Sequence, residues 1–189
     1  MASETSPSDK TLRSILEEGT RLNTFDGRQT LRLGIISDTH GYLPQGVSEV
    51  FHGMDLILHA GDIDKPGLLE SVRRIAPVAA VKGNMDTGGW AAALKSAELI
   101  EVGGVLIFIL HDRSRIDLDP LAAGIQVVIS GHTHRPEAER DSGVFYLNPG
   151  SASFPRFGLL PTVAILEIRN GGVSHRFIEL PDDGQSHHR

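Results

Sequence analysis

Cysteine is absent from the 189-residue chain. That removes disulfides, thiolate zinc sites and cysteine nucleophiles together, and it fits a reducing compartment. Long apolar runs are missing as well. The longest, Val102 to Leu110, is interrupted by Gly103-Gly104 and falls far short of the ~20 residues of a membrane helix. The first ten residues are polar and carry Glu4 and Asp9, without the basic start and apolar centre of a signal peptide, so the cytoplasm is the expected location. Basic charge is in deficit: 18 Lys and Arg against 24 Asp and Glu leave a formal charge of −6. A nucleic-acid polymer needs a basic track to neutralise its phosphates, and none is visible, which weighs against a processive nuclease. Small phosphate esters stay open, because bound metal ions invert the local field. The remaining composition, 40% hydrophobic and 22% charged, is that of one soluble globular domain.

The pattern along the chain places an extension at 1–30, a domain at 31–180 and a flexible tail at 181–189. Residues 1–10 have nothing to bury and read as disordered. Thr11 to Leu22 carries Leu12, Ile15, Leu16 and Leu22 at near-helical spacing, which predicts a short packed amphipathic helix. Thr24 to Thr30 reads as a polar linker. Strands are predicted over 31–36, 55–59 and 77–81, with helices over 44–51 and 66–75 between them, Pro66 suiting a first helical turn. This rhythm predicts parallel strands with crossover helices. Hairpins are predicted around Gly103-Gly104 and Asn170-Gly171-Gly172. Further strands are predicted over 127–130 and 144–147, the second leading into Asn148-Pro149-Gly150-Ser151.

Five short motifs follow in order: Asp38-Thr39-His40, Gly61-Asp62, Gly83-Asn84-Met85-Asp86, His111, and Gly131-His132-Thr133-His134. Asp38, Asp62, Asn84, His111 and His132 each follow a predicted strand, and ligands of open α/β sheets bind beyond the carboxyl ends of the strands. Residues far apart in sequence therefore converge on one rim. Imidazole suits Mn, Fe, Ni and Zn, carboxylate suits Mg and Mn, and the donor count is enough for two divalent ions. Two such ions clamp the attacking and leaving oxygens of a phosphoryl displacement.

This ordered set resembles the calcineurin-like metallophosphoesterase superfamily, and in particular its small single-domain phosphodiesterase branch from bacteria and archaea. Asn148-Pro149-Gly150-Ser151 with Pro155-Arg156 resembles the end signature of that branch. The resemblance runs from about Leu31 to Leu180. It implies an α/β fold, a single-domain sandwich of two mixed β-sheets flanked by helices. It also implies two divalent metal ions, Mn, Ni, Fe or Zn. One would be held by Asp38, His40, Asp62 and His134, the other by Asp62, Asn84, His111 and His132, with Asp62 bridging. The implied activity is hydrolysis of a small phosphodiester, with attack in line by a hydroxide that bridges the ions and with Asn84 helping to neutralise the equatorial oxygens. Small members of the branch are often dimeric or larger, so a homo-oligomer stays open.

Two departures from the family pattern stand out. Met85 occupies a position that in many members is a histidine thought to protonate the leaving group. Asp86 is the nearest replacement acid, and the chemistry should favour good leaving groups. Arg113 stands where the related branch often has a second histidine; it either grips a substrate phosphate bidentately or faces solvent. Met85 also keeps alive an alternative, a catalytically weak metal-binding scaffold similar to the retromer subunit of this fold, although that subunit's metal site is degraded by substitution and this chain keeps every ligand position. Among the other residues, His59 reads as a core histidine hydrogen-bonded in place. His52 and His175 read as surface residues, and His187 and His188 as a tail pair without a role. Asn148 and Ser151 read as a structural turn near the site. Phe154, Phe157 and Trp90 either wall the substrate or pack in the core.

Overall fold

The computed structural model describes residues 20–22 and 30–181. The expectations for 1–10, for most of the 11–22 helix, for the 24–30 linker up to residue 29 and for the tail from 182, with His187 and His188, lie outside the described residues. The described elements are strands β1 (Thr20–Leu22) and β2 (Thr30–Ile36), helix α1 (Gly46–Val50), β3 (Leu56–His59), helix α2 (Pro66–Arg73) and β4 (Val78–Ala80). They continue with β5 (Ala97–Val102), β6 (Val105–Leu110), β7 (Val127–Ile129), β8 (Pro136–Asp141), β9 (Val144–Pro149), β10 (Thr162–Arg169) and β11 (Gly172–Glu179). Two of these correct the sequence reading. Thr20–Leu22, the end of the expected helix, is a strand that pairs parallel with β5 and forms the edge of its sheet. Pairing at an open sheet edge satisfies backbone groups and overrides a weak helical pattern. The run PEAERD forms β8, which no apolar alternation announced because it is a mostly exposed edge strand paired only with β9. Charged side chains on such an edge also discourage pairing with other chains.

The strands form a six-stranded sheet, β1-β5-β6-β7-β9-β8, and a five-stranded sheet, β11-β10-β2-β3-β4. Both are mixed. β2, β3 and β4 run parallel, as do β6, β7 and β9, while the two predicted hairpins, β5–β6 and β10–β11, are antiparallel. Alternation along each strand decides which face it feeds. Leu33 and Ile35, Leu56 and Leu58, Ile107 and Ile109, and Val127 and Ile129 point between the sheets and make one core. The intervening Ile57, Val163 and Ile165, with Ile36, pack outward on α1 and α2 through Val47, Phe51, Leu68 and Val72. Phe108, Leu110 and Val128 cover the opposite outer face together with Ile125 and Val144. Burying strands on both faces explains their near-continuous apolar sequences. No helix among the described residues is long and apolar enough to cross a membrane.

Gly34 lies on the helix-facing side of β2, where an added Cβ would come within 2.9 Å of the Phe51 ring. Phe51 is fully buried and cannot swing away. Gly34→Ala is therefore expected to cost about 1–3 kcal/mol in urea denaturation through overpacking, and adding Phe51→Leu is expected to recover part of that loss.

Candidate metal centre

The parallel strands β2, β3 and β4 of one sheet and β6 and β7 of the other end at one rim. The loops leaving them carry Asp38, Asp62, Asn84, His111 and His132 in that order. The backbone in these loops is unusual. Asp38, His40, Asp62, Asp64, His132 and His134 all have positive φ, between 43° and 72°. Asp and His tolerate this left-handed region better than most residues, but each such position still costs about 1 kcal/mol. Hydrogen bonds between loops hold the conformation: Asp38 N donates to Gly61 O at 3.0 Å and His40 N to Asp62 O at 3.0 Å. Gly83 and Gly131 admit the closest approaches. A Cβ on Gly83 would sit 2.0 Å from Asp62 Oδ1, and one on Gly131 1.9 Å from Ser37 Oγ.

All seven residues proposed as ligands from the sequence are brought together. Asp38, His40 and His134 place one donor atom each within 4.8 Å of one another, and so do Asp38, Asp62 and His111. Asp38 is common to the two groups. Asp62 spans them as well, with Oδ2 3.3 Å from His111 Nε2 and 4.0 Å from His40 Nε2. Asn84 Oδ1 lies 3.1 Å from His111 Nε2 and 3.0 Å from His132 Nδ1.

The ring tautomers follow from partners that can only accept. His134 Nδ1 donates to Phe154 O at 2.6 Å, His111 Nδ1 to Ala60 O at 2.8 Å, and His40 Nδ1 to the Asp64 carboxylate at 3.3 Å. With Nδ1 as the proton-bearing nitrogen of His40 and His134, Nε2 of each is left as an acceptor that points inward, whereas His111 Nε2 faces the Asp62 carboxylate at 3.3 Å. His40 Nε2 and His134 Nε2 are 3.4 Å apart. Asp38 Oδ1, 3.2 Å from His134 Nε2, is fully buried and makes no hydrogen bond. Lone pairs and a carboxylate facing one another in a buried site need a cation between them. The donors are nitrogen and oxygen without sulfur, so the chemistry fits divalent Mn, Fe, Ni or Zn. Burial alone would lower the pKa of His111, but its hydrogen bond to Asp62 and the charges of Asp38 and Asp62 raise it. Asp62 is the reciprocal case: burial opposes ionisation, yet the bonds from His111 and from the Met85 N–H lower its pKa.

Two expectations need correction. Asp86 is buried, and its carboxylate accepts from three backbone N–H groups: Ile63 at 2.8 Å, Asp64 at 2.7 Å and Gly83 at 2.7 Å. Both oxygens are committed to tying the Asp62 loop to the Asn84 loop, so the group is a brace and not a poised acid. Arg113 lines neither cavity that contains the ligands. It is exposed, pairs with Glu139 and stacks over Tyr146, 3.8 Å from the ring centre, so of the two alternatives the geometry favours the surface one over a grip on a substrate phosphate.

Other assignments hold. Asn148 Nδ2 donates to Gly131 O at 2.7 Å, and Ser151 Oγ to Asp38 O at 2.7 Å, so both brace the site, from the end of β9 and from the turn after it. Ser153, which the sequence reading passed over, adds a bond to Thr39 O at 2.6 Å. Asp64 was also missed, although its place two residues after Asp62 was a signal. His52 and His175 are exposed. Trp90 packs partly buried against the helix-side core and Phe154 lines the ligand cavity with Met85 and Arg156, whereas Phe157 corrects the expectation, being 69% exposed and in neither place.

Comparison with known proteins agrees with this geometry. The family model described as the calcineurin-like phosphoesterase superfamily domain matches residues 31–171. A probable metallophosphoesterase of Methanocaldococcus jannaschii is 38% identical over 140 residues, covering 67% of this chain and 71% of its own. A solved structure described as a novel archaeal phosphodiesterase superposes with a TM-score of 0.69 at 25% identity, covering 79% of this chain and all of that one. Vacuolar protein sorting 29 from Cryptosporidium parvum superposes with a TM-score of 0.64 at 17% identity, covering 81% of this chain and 99% of that one, a likeness of fold alone.

His59 gives a test of how the site is built. It is fully buried, accepts from Gly61 N at 3.2 Å through Nδ1, and through Nε2 meets Thr39 Oγ1 at 3.0 Å. Burial lowers its pKa from 6.5 to about 4. The folded state therefore resists protonation that the unfolded chain accepts. Stability contributed by the neutral ring is complete above pH 6.5 and is lost as pH falls toward 4, by about 3 kcal/mol. Urea denaturation at stepped pH should show this slope, and His59→Gln should flatten it.

Proposed function

Because the chain belongs to the calcineurin-like phosphoesterase superfamily, we propose that it is a phosphodiesterase dependent on two divalent metal ions and acting on a small phosphodiester. The observation that carries this reading is the pair of inward-facing Nε2 atoms of His40 and His134 beside the buried Asp38 Oδ1, which makes no hydrogen bond while Oδ2 accepts from His132 N. On this reading Asp38, His40, Asp62 and His134 hold one ion, and Asp62, Asn84, His111 and His132 the other. When bound, the ions acidify a water and draw charge from phosphorus. The chain's own part is positioning. Asp64 and Phe154 O fix the rings of His40 and His134, and Ala60 O fixes that of His111, so the donors need no rearrangement. With Asn84 Oδ1 turned to the metal side, its amide nitrogen is left to donate to an equatorial phosphoryl oxygen.

Among the described residues, neither Met85 nor its neighbour Asp86 replaces the missing leaving-group histidine. Met85 is 49% exposed in the ligand cavity and has no proton to give, and Asp86 is occupied as a brace. The reaction therefore favours leaving groups that depart without protonation, and diesters over monoesters. Met85 is also the observation behind the second reading, a metal-binding scaffold with weak catalysis. Against that reading, every ligand position is kept and pre-oriented.

The test is hydrolysis of bis(p-nitrophenyl) phosphate and p-nitrophenyl phosphate by protein stripped of metal and reloaded with Mn, Ni, Zn or Mg. Diester turnover should require added metal, exceed monoester turnover, and fall about a hundredfold or more in His132→Ala. Two bound ions without turnover of either ester would favour the scaffold.

A further inference from the structure

His59 ends β3 and is fully buried, yet it is not one of the proposed ligands. Gly61 N donates to its Nδ1 at 3.2 Å, so that nitrogen carries a lone pair and the proton of the neutral ring sits on Nε2. Nε2 then donates to Thr39 Oγ1 at 3.0 Å, which leaves the Thr39 hydroxyl to donate to Asp62 O at 3.3 Å. One tautomer and one hydroxyl orientation satisfy all three bonds. The ring thereby closes a circuit through the Gly61 N–H, the Thr39 hydroxyl and the Asp62 carbonyl.

That circuit joins two ligand loops. Thr39 stands between Asp38 and His40, and Gly61 directly precedes Asp62. Thr39 is itself fully buried, and Ser153 Oγ holds its carbonyl at 2.6 Å, so its hydroxyl is presented from a fixed backbone. The Asp62 carbonyl accepts a second bond from the same loop, from His40 N at 3.0 Å. Asp38, His40 and Asp62 have φ of 53°, 43° and 54°, a strained backbone that persists only while its surroundings hold it. Asp86 ties the Asp62 loop to the loop of Asn84, a ligand proposed for the second ion. His59 supplies the matching tie toward the first. We propose that His59 is a positioning residue: acting through Thr39, it fixes the Asp62 backbone against the Asp38–His40 loop and so sets how the Asp62 carboxylate bridges the two ions. This rests on the dinuclear phosphodiesterase reading above.

The test titrates metal-stripped protein with Mn alone, reading bound metal by calorimetry and the coupling between ions by electron paramagnetic resonance, with bis(p-nitrophenyl) phosphate turnover alongside. His59→Asn keeps an acceptor beside Gly61 N but is too short to reach Thr39, and Thr39→Val removes the connecting hydroxyl at nearly constant volume. Each should weaken the second Mn about tenfold or more and replace the exchange-coupled signal by that of isolated ions. Thr39→Ser, which restores the hydroxyl, should keep the coupled pair. Gly34→Ala, destabilised away from the ligand loops, should keep it too. Unchanged affinity and coupling in folded His59→Asn and Thr39→Val, with only a lower urea midpoint, would overturn the positioning role, as would an equal loss in Gly34→Ala. Should His59→Asn fail to fold, Thr39→Val against Thr39→Ser decides by the same readouts. Unaltered protein that binds a coupled pair, loses it in the two variants and hydrolyses no ester would overturn the phosphodiesterase reading and leave the positioning role standing. Unaltered protein that binds fewer than two ions would overturn both.

Discussion

His40 and His134 turn bare ring nitrogens toward each other and toward a buried carboxylate oxygen of Asp38 that makes no hydrogen bond. The other oxygen of that carboxylate accepts from His132 N, but lone pairs facing a buried oxygen without a hydrogen bond are unfavourable unless a cation lies between them. It persists because the opposite ring nitrogens are tied to Asp64 and to the Phe154 carbonyl. The same device fixes His111 through the Ala60 carbonyl. The fold thus holds the donors apart from their natural partners and ready for ions of higher charge.

Holding them there strains the backbone. Five of the seven proposed ligand positions, and Asp64 beside them, sit at positive φ. At about 1 kcal/mol each, that strain is comparable with the net stability of an ordinary domain, so it needs compensation nearby. The compensation is visible in the braces. Asp86 joins two loops through three backbone N–H groups, Ser151 and Ser153 hold the carbonyls of Asp38 and Thr39, and Asn148 holds that of Gly131. Beneath them lies the two-sheet core, whose strands end together at the rim and fix where each loop begins.

Much of this was legible in the sequence, for physical reasons. Strands buried on both faces announce themselves as apolar runs such as LRLGII and LILH, and the ligand motifs sit directly beyond them. The convergence of the seven proposed ligand positions was readable because most of them follow predicted strands that end at one rim, while their roles as ligands are what the family resemblance implies. β8 was not readable, because a mostly exposed edge strand that turns little more than Pro136 and Ala138 inward shows no clear apolar alternation. The parallel addition of Thr20–Leu22 to β5 depends on an open edge that no local pattern records. The role of Asp86 was misread for a similar reason: a carboxylate beside a site looks like an acid until its three N–H partners, two of them more than twenty residues away, are known. Asp64 and Ser153 act through other residues, and their chemistry in isolation is that of ordinary loop positions.

The account turns on two ions filling the space between these donors. The most direct measurement is anomalous scattering from crystals of the protein loaded with Mn or Zn. The account expects two peaks roughly 3.5–4 Å apart, one beside His40 and His134 and the other beside His111 and His132. A single peak, or none at saturating metal with the rings unmoved, would contradict it.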